Sequence, residues 1–451
     1  MSFPLGKPIL VMTFVALISG AWVATCPSKP QADLVLWTFV ESHANTYRSI
    51  IEQFEKQTGK TVDIQLVSPK ASVVRLESMF MSGQTGRILP DLVEMEIGDV
   101  GRFFLPPADQ VGFLPLNNYL SSGDWQKRIV PTRFAPWSKG DVIFGVPHDV
   151  HPVSITYRKD LFDQAGVDLE SSKTWPAFLD ACLKFQVYWQ EHDQPQRHAM
   201  DLKQTAPDYL IIMLLQRHVN LIDEHNEIHI NDPIVTKTLA YYAQLVAGPT
   251  RIGWEGSTNR GAWVNDIVEG NLCAFFTPDW RIYDLQTYGS QLHGKLQMMP
   301  LPRFEPSDAP TSTWGGTMIA ITRQSRSHDD AWKLLEFLYL SQTGHEAGMQ
   351  FTTTIPPVME WWNNAAYHQS DAFFGGQKIN ELYVDLARQI PPRYVNPATL
   401  IAQIQLSVVL NLATNYVESQ GIDGLEQACQ KWLDFAASDL KARIRNGRID
   451  E

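Results

Sequence analysis

Cysteine is scarce in this chain. Of 451 residues four are cysteine, and those beyond residue 26 are Cys182, Cys273 and Cys429. An odd number of widely spaced cysteines excludes a disulfide framework. The sequence therefore predicts buried thiols, with a single disulfide in an oxidising compartment as the alternative.

Runs of basic residues are also absent. Lys and Arg number 37 against 49 Asp and Glu, so the formal net charge is −12. Nucleic acids and anionic membrane surfaces attract clustered cations, so this charge balance disfavours both as partners. With 44% hydrophobic and 19% charged residues, the chain has the composition of a folded protein rather than a disordered one. Its length suits two large lobes or a few smaller domains.

Motifs that carry common catalytic chemistry are missing as well. The sequence has no GxxxxGK[ST], no GxGxxG after a strand, no HExxH and no GxSxG. We therefore predict no cofactor, no metal and no catalytic residue. The cluster of His148, Asp149 and His151 could still serve acid–base chemistry. Glu94 and Glu96 alternate with apolar residues, which indicates a solvated strand face.

One long apolar run is present, at the N-terminus. Residues 9–24 are almost entirely apolar and follow Lys7. The run is short for a membrane span, which takes ~20 residues, and small residues end it, so residues 1–26 are predicted to be a secretory leader. Cys26 resembles the lipidated cysteine of a bacterial lipobox, although Thr25 departs from that pattern. Cleavage near Ala24 and an uncleaved anchor are the alternatives, and all three place the body of the protein outside the cytoplasm.

Strand and helix patterns alternate after the leader. Strands are predicted at 34–37, 61–67 and 91–97, and helices at 46–57 and 71–81. This alternation predicts βαβ units and a parallel sheet. Ligands bind such sheets at the carboxyl ends of the strands.

Several segments, in order, resemble the bacterial extracellular solute-binding proteins of ABC importers. The similarity is to the large sugar-binding family that includes the maltose-binding protein. The segments are the leader with Cys26, LVLWTF (34–39) with the following FEKQTGKTVDIQLV, LPDLVEMEIGDVGRF (89–103), GVP (145–147) with SITYRKDLFDQAGVD (154–168), VEGNLCAFFTPDW (268–280), and MPLPRF with WGGTMIAITRQSRSHDDAWKLLEFL (314–338).

The resemblance implies a type II periplasmic-binding-protein fold. Each of two α/β lobes would hold a mostly parallel sheet flanked by helices, and the ligand cleft would lie between the lobes. Crossing segments are expected near 146–154, 296–301 and 344–355. The implied division is 32–147 plus 300–345 for the N-terminal lobe, and 152–295 plus 355–451 for the C-terminal lobe.

The implied function is that of a monomeric, non-catalytic component of an ABC transporter. It would bind a mono- or oligosaccharide by hinge closure and deliver it to membrane permease subunits. The sequence does not identify the sugar. One alternative is a secreted carbohydrate-active enzyme. Another is the same fold binding a different solute, such as iron, a polyamine or glycerol phosphate. The adjacent Tyr241 and Tyr242 would suit iron, but they lie in a helical pattern.

Candidate ligand contacts have the residue types that recognise sugars. Aromatic rings stack on the C–H faces of a sugar, carboxylates accept hydrogen bonds from its hydroxyls, and arginine donates to them. Trp37 could instead belong to the core, Glu41 could cap a helix, and Arg393 could lie in a solvated turn. The candidates are Trp37, Glu41, Asp99, His148, Asp149, Asp279, Trp280, Arg281, Trp314, Gly315, Gly316 and Arg393.

Overall fold

A computed structural model of the chain describes residues 7–25, 32–82 and 89–446. The predicted lipidation site, Cys26, lies outside these ranges. The strands, in chain order, are β1 (Leu34–Thr38), β2 (Val62–Leu66), β3 (Leu92–Glu96), β4 (Ser138–Lys139), β5 (Val142–Ile143), β6 (Val146–Pro147), β7 (Val153–Arg158), β8 (Met200–Asp201), β9 (Gly253–Trp254), β10 (Ala274–Pro278), β11 (Leu296–Met299) and β12 (Thr317–Ile321).

Helices surround these strands. In chain order they are α1 (Lys7–Thr25), α2 (Glu41–Thr58), α3 (Pro69–Ser82), α4 (Ile97–Val100), α5 (Asn117–Ser122), α6 (Trp125–Arg128), α7 (Lys159–Gln164), α8 (Trp175–Glu191), α9 (Asp208–Gln216), α10 (Pro233–Val246), α11 (Arg260–Glu269), α12 (Arg281–Tyr288), α13 (His328–Leu335), α14 (Gln342–Phe351), α15 (Ile379–Ala387), α16 (Thr399–Gln420) and α17 (Leu425–Arg445). A π-helical turn, Glu336–Leu340, joins α13 to α14.

Local signals explain several helix boundaries. Thr174 begins α8 by accepting a hydrogen bond from the amide of Ala177, and Asn259 begins α11 in the same way. Helix α2 starts five residues before the predicted position, with Glu41 in its first turn, where a negative charge is favourable. It ends at Gly59, whose φ of 70° suits a glycine that closes a helix.

The first lobe is built around a five-stranded sheet in the order β2-β1-β3-β12-β6. Strands β1, β2 and β3 run parallel to one another, as predicted. Strand β12 runs antiparallel to both β3 and β6. Buried Leu36, Leu92 and Ile319 bring these strands into one apolar core.

The second lobe holds a three-stranded sheet in the order β10-β7-β11. Both outer strands are antiparallel to β7, so the expected parallel arrangement is wrong for this lobe. The reason is that β7 enters from the first lobe and runs away from the boundary between the lobes. Strands β10 and β11 return toward that boundary. Strand β12 enters the first lobe in the same way, which explains its antiparallel pairing there.

Three segments connect the two sheets. The first joins β6 to β7 through residues 148–152, and the second joins β11 to β12 through residues 300–316. The third follows α14, and its Ile355 carbonyl accepts a hydrogen bond from the amide of Val150 in the first segment. The crossing expected at 296–301 is shifted, because Leu296–Met299 is a strand of the second sheet and Leu301 packs in the second core. The division of the chain into lobes by residue number stays a prediction.

The cysteines and the long apolar helix α16 belong to the interior. Cys182, Cys273 and Cys429 are buried free thiols, which confirms the first interpretation of their spacing. Among the residues searched, α16 is the helix whose length and hydropathy would allow a membrane span. Because Leu406, Val409 and Leu410 of this helix are buried in the second core, packing accounts for its apolar character.

Candidate functional site

An aromatic wall lies on the second lobe at the boundary between the sheets. Trp280 follows β10 and Trp314 precedes β12, and their ring centroids are 5.4 Å apart. The indole N–H of Trp280 donates to the carbonyl of Trp314 over 3.1 Å. Arg281 lies 4.4 Å above the Trp314 ring. All three side chains are half-buried, so part of each remains available to a ligand.

Tyr209, near the start of α9, completes the aromatic wall and holds it in place. Its ring meets Trp314 edge-on, with centroids 5.2 Å apart. Its hydroxyl donates to Asp201 over 3.0 Å and accepts from Arg281 over 3.3 Å. The aromatic wall, comprising Tyr209, Trp280, Arg281 and Trp314, is therefore fixed by packing and by hydrogen bonds from behind.

A charged rim adjoins this wall, because Asp208 directly precedes Tyr209 and the amide of Ile97, next to Glu96, donates to the carbonyl of Gly316. It consists of Glu96 at the end of β3, Asp99 in α4, Asp208 at the start of α9, and Arg393. Loss of hydration raises the pKa of Glu96, and Asp99 raises it further while Arg393 opposes the shift. Burial lowers the pKa of Arg393 to about 10 against the attraction of Asp208 and Glu96. Part of the Glu96 surface is exposed, yet surrounding protein removes much of its hydration. A side chain in the gap between two lobes has this combination.

Rim side chains retain hydrogen-bonding capacity. Within the described residues, the side chains of Glu96, Asp99, Asp208 and Arg393 make neither hydrogen bonds nor ion pairs within 4.0 Å. Their mutual influence is electrostatic and acts over longer distances. Carboxylates accept and guanidinium donates, so the rim offers both kinds of partner to a polar ligand.

Behind the wall lies a crossing network of Arg133, Asp149, His151 and Asp279. His151 bonds Asp279 through Nδ1 over 2.6 Å and Asp149 through Nε2 over 3.0 Å. Arg133 reaches the side chain of Asp149 over 3.4 Å and its carbonyl over 3.0 Å. Burial alone would lower the pKa of His151, but the two carboxylates raise it to about 9. His151 is therefore an imidazolium at neutral pH. Its backbone φ is +56°, in the left-handed region.

Asp279 also binds the third connecting segment. Its carboxylate accepts from the amide of Ile355 over 2.7 Å and from that of Trp280 over 2.8 Å. The exposed fractions of Asp149 and Asp279 are 1% and 0%. The structure thus buries these two predicted contact residues, where they support the connections between the lobes. Their carboxylates are occupied by protein donors, which explains why they do not face the gap.

A second buried cluster surrounds Glu94. This carboxylate accepts hydrogen bonds from Thr38, Tyr47, Tyr339 and His43. Burial would raise the pKa of Glu94, but the charge and hydrogen bond of His43 lower it to about 2. The solvated strand face expected for Glu94 is wrong, because β3 is a central strand covered on both faces.

Candidate metal ligands occur in this cluster. His43, Glu94 and the predicted site residue His148 have ligand atoms within 4.8 Å of one another. However, the rings of His43 and His148 are stacked, with centroids 3.7 Å apart, and four donors already fill the lone pairs of Glu94. The donor set therefore fits a buried hydrogen-bond cluster better than a metal site.

The two glycines predicted as ligand contacts, Gly315 and Gly316, allow close packing of neighbouring side chains. Gly315 and Gly316 have φ values of +94° and +147°. A Cβ on Gly316 would lie 2.5 Å from Arg133, and one on Gly315 would lie 3.3 Å from the Trp280 indole nitrogen. Gly316 is buried, so its backbone approaches Arg133 rather than a ligand.

Two further predicted contacts lie apart from the wall. Trp37 is 2% exposed within the first-lobe core and donates to Gln65 over 3.0 Å, so the core alternative is the correct one. Glu41 is exposed at the start of α2. Its contact with a ligand stays a prediction.

Sequence reasoning missed Glu96, Asp208 and Tyr209 as members of this region, and it named His151 as part of a cluster with His148 and Asp149. Glu96 could have been found, because it is the last residue of a parallel strand and therefore lies at the ligand edge of the sheet. Asp208 and Tyr209 carry no comparable local signal. Tertiary packing alone brings α9 and the first connecting segment to the wall.

Comparison with known proteins identifies the family. Residues 41–344 match the model of the bacterial extracellular solute-binding proteins, which is more than half of the chain. The chain belongs to this family. The resemblance seen in the sequence is confirmed. Members of the family are binding proteins rather than enzymes and act outside the cytoplasm.

Relatives of known function align over most of the chain. The arabinooligosaccharide-binding protein of Halalkalibacterium halodurans is 25% identical over 85% of this chain and 83% of its own length. The protein of the same name from Bacillus subtilis is 20% identical over 96% of this chain and 98% of its own length. The solved structure of the sugar-binding protein MalE from Xanthomonas citri superposes with a TM-score of 0.69 at 18% identity, covering 91% of this chain and 99% of that one. At this identity the likeness shows the shared two-lobed fold.

Proposed function

We propose that this solute-binding protein binds a carbohydrate between its lobes. The observation that carries the proposal is the aromatic wall adjoining a charged rim with unused hydrogen-bonding capacity. Trp280 and Trp314 present partly exposed faces to C–H groups, while Glu96 and Asp208 accept from hydroxyls and Arg393 donates to them. The names of the two curated relatives support an oligosaccharide as the ligand class.

Membership of this family supports a role in delivering the sugar to a membrane permease. The lobes close over the sugar by bending the three connecting segments, and the closed form docks on the permease subunits of an ABC transporter. The protein acts as a monomer and releases the sugar unchanged. Cys26 or an uncleaved leader holds it at the outer surface of the membrane.

The proposal is tested by calorimetric and tryptophan-fluorescence titration of the full-length chain. The panel contains arabino-oligosaccharides, malto-oligosaccharides, their monosaccharides, ferric iron, spermidine and glycerol phosphate. We expect saturable binding of one sugar series without product. Response to iron, polyamine or glycerol phosphate alone would replace the ligand class, and accumulation of shorter sugars would identify an enzyme.

A further inference from the structure

A small pocket of about 230 Å³ lies on the second lobe, apart from the aromatic wall and the charged rim. Helix α8, the segment that leads into β8, and strand β9 with the chain just before it meet at this pocket. None of the residues that line it belongs to the wall, the rim or the crossing network. The lining residues are Gln186, Gln190, Pro195, Arg197, His198, Arg251, Gly253 and Trp254.

The pocket is positively charged in an acidic protein. Arg197 and Arg251 both line it, and none of its lining residues is acidic. Within the described ranges, neither guanidinium forms an ion pair with a carboxylate. Burial lowers the pKa of His198, and the charge of Arg251 lowers it further. The positive charge of the pocket is therefore not neutralised by a paired carboxylate, although the whole chain carries a net charge of −12.

Both arginines keep donors that no protein group uses. Arg251 donates through Nε to the carbonyl of Gly253 over 2.9 Å, and its two terminal nitrogens bond no residue that the structure describes. Arg197 donates through Nε to Gln194, and through one terminal nitrogen to the carbonyl of Gly270 over 3.4 Å. Its other terminal nitrogen is unused in the described part of the chain. Guanidinium groups with free N–H donors are the preferred partners of carboxylates and phosphates.

Aromatic stacking holds these groups in place. The ring of His198 lies parallel to that of Trp254, with an interplanar angle of 2° and centroids 4.1 Å apart. Arg251 lies 4.4 Å from the centroid of the same indole ring, and Arg197 lies 4.4 Å from that of Trp189. Trp254 is nevertheless 45% exposed. Because these side chains are already ordered, a ligand loses less affinity to the cost of ordering them.

We infer that this pocket binds the oxyanion group, a carboxylate or a phosphate, of a small molecule. The free terminal nitrogens of Arg197 and Arg251 donate to the anion, and the body of the ligand lies against the exposed part of Trp254. The volume is below the roughly 300–1,000 Å³ of sites that enclose a whole ligand, so the pocket takes the anionic group and leaves the body outside. This site is independent of sugar binding between the lobes and is tested separately from it.

Calorimetric titration of the full-length chain at low ionic strength tests the inference. The probes are benzoate and phenyl phosphate, which carry the two anions on the same ring, and benzamide, which is the uncharged counterpart of benzoate. We expect saturable binding of at least one anion with a Kd of about 1 mM or tighter, weakened by added NaCl. The tighter of the two identifies the oxyanion. Failure of both anions to bind, or equal binding of benzamide, would overturn the inference.

Variants locate the bound anion. Arg251→Gln and Arg197→Gln should each weaken the better anion by about tenfold or more, because each removes a charged hydrogen-bond donor. Arg388→Gln is the matched control and should leave the affinity unchanged, since Arg388 also lies over a tryptophan, 5.1 Å from the Trp362 centroid, but outside this pocket.

A variant of the aromatic wall separates this pocket from the site between the lobes. Trp280→Ala should leave anion binding unchanged. Loss of the anion in Trp280→Ala with full binding in both Arg251→Gln and Arg197→Gln would place the anion between the lobes and overturn the inference. Equal losses in Arg251→Gln, Arg197→Gln and the control Arg388→Gln would overturn it as well, because the anion would then respond to net charge alone.

Discussion

The crossing network and the aromatic wall with its charged rim lie side by side but use their polar groups in opposite ways. In the crossing network, His151 has a carboxylate on each ring nitrogen, and Asp279 also accepts backbone amides. In the rim, Glu96 and Arg393 influence each other's charge but bond no described side chain. Both regions hold residue types that recognise sugars. Only the second leaves them available.

This difference shows why residue type alone is a weak guide to a ligand site. A buried charge must be paired, so a fully paired carboxylate such as Asp149 contributes to structure. An unpaired polar group in a gap between two lobes retains its hydrogen bonds for an incoming ligand. The comparison predicts that changes in the crossing network alter stability first, and that changes in the wall alter affinity first.

The largest effect is expected from Asp279→Asn. This change keeps the shape of the side chain but removes a charge facing the buried His151 imidazolium. Breaking one partner of a buried ion pair costs about 3–5 kcal/mol of folding free energy. Denaturant unfolding of the full-length chain measures this loss of folding free energy. Asp385→Asn, at an exposed position, is the matched control and should stay within about 0.5 kcal/mol of wild type. Equal stability of the two variants would refute a structural role for the network.

The pH dependence of stability isolates His151. Its pKa rises from 6.5 unfolded to about 9 folded, so its contribution is fully present below pH 6.5. The contribution is lost as pH rises through 9. The pH-dependent part amounts to about 3 kcal/mol. It is read from the difference in unfolding free energy between wild type and His151→Gln at pH 6 and pH 9.5. A difference that does not shrink at the higher pH would contradict the paired imidazolium.

Two tryptophans separate affinity from stability. Trp280→Ala should weaken the best-bound sugar by about 2 kcal/mol, or about 30-fold in Kd, because it removes a stacking face. Trp37→Phe should lower the unfolding free energy by about 1–2 kcal/mol and leave Kd unchanged, because Trp37 lies in the core. Calorimetry gives the Kd of each variant, and denaturant unfolding gives the unfolding free energy of each. If Trp37→Phe lost as much affinity as Trp280→Ala, Trp37 would belong to the binding site.

The smallest effect is expected from Glu41→Gln. An exposed carboxylate in the first turn of a helix contributes about 0.5 kcal/mol through the helix dipole. The variant should therefore show a slight loss of stability and an unchanged Kd for the same sugar. A tenfold loss of affinity would instead place Glu41 in the site.

Much of the first lobe was predictable from the sequence because its signals are local. Alternating apolar residues placed β2 and β3 within a residue of their observed ends. The resemblance and the residue types led to Trp280, Arg281, Trp314 and Arg393, whose contact with a ligand stays a prediction. The burial of Asp149, Asp279 and Glu94 was not predictable. Each of them also binds donors from segments far apart in the chain, such as His43 and Tyr339 for Glu94 and Ile355 for Asp279. The antiparallel second sheet escaped prediction for a related reason, since strand direction depends on where the chain crosses between lobes.

A crystal structure of the full-length chain with its best-bound sugar tests the central claim most directly. We predict that the sugar ring lies on Trp280 or Trp314, that its hydroxyls bond Glu96 or Asp208 and Arg393, and that Asp149 and Asp279 keep their protein partners. A sugar held by Asp149 or Asp279, or bound away from the aromatic wall, would contradict the account.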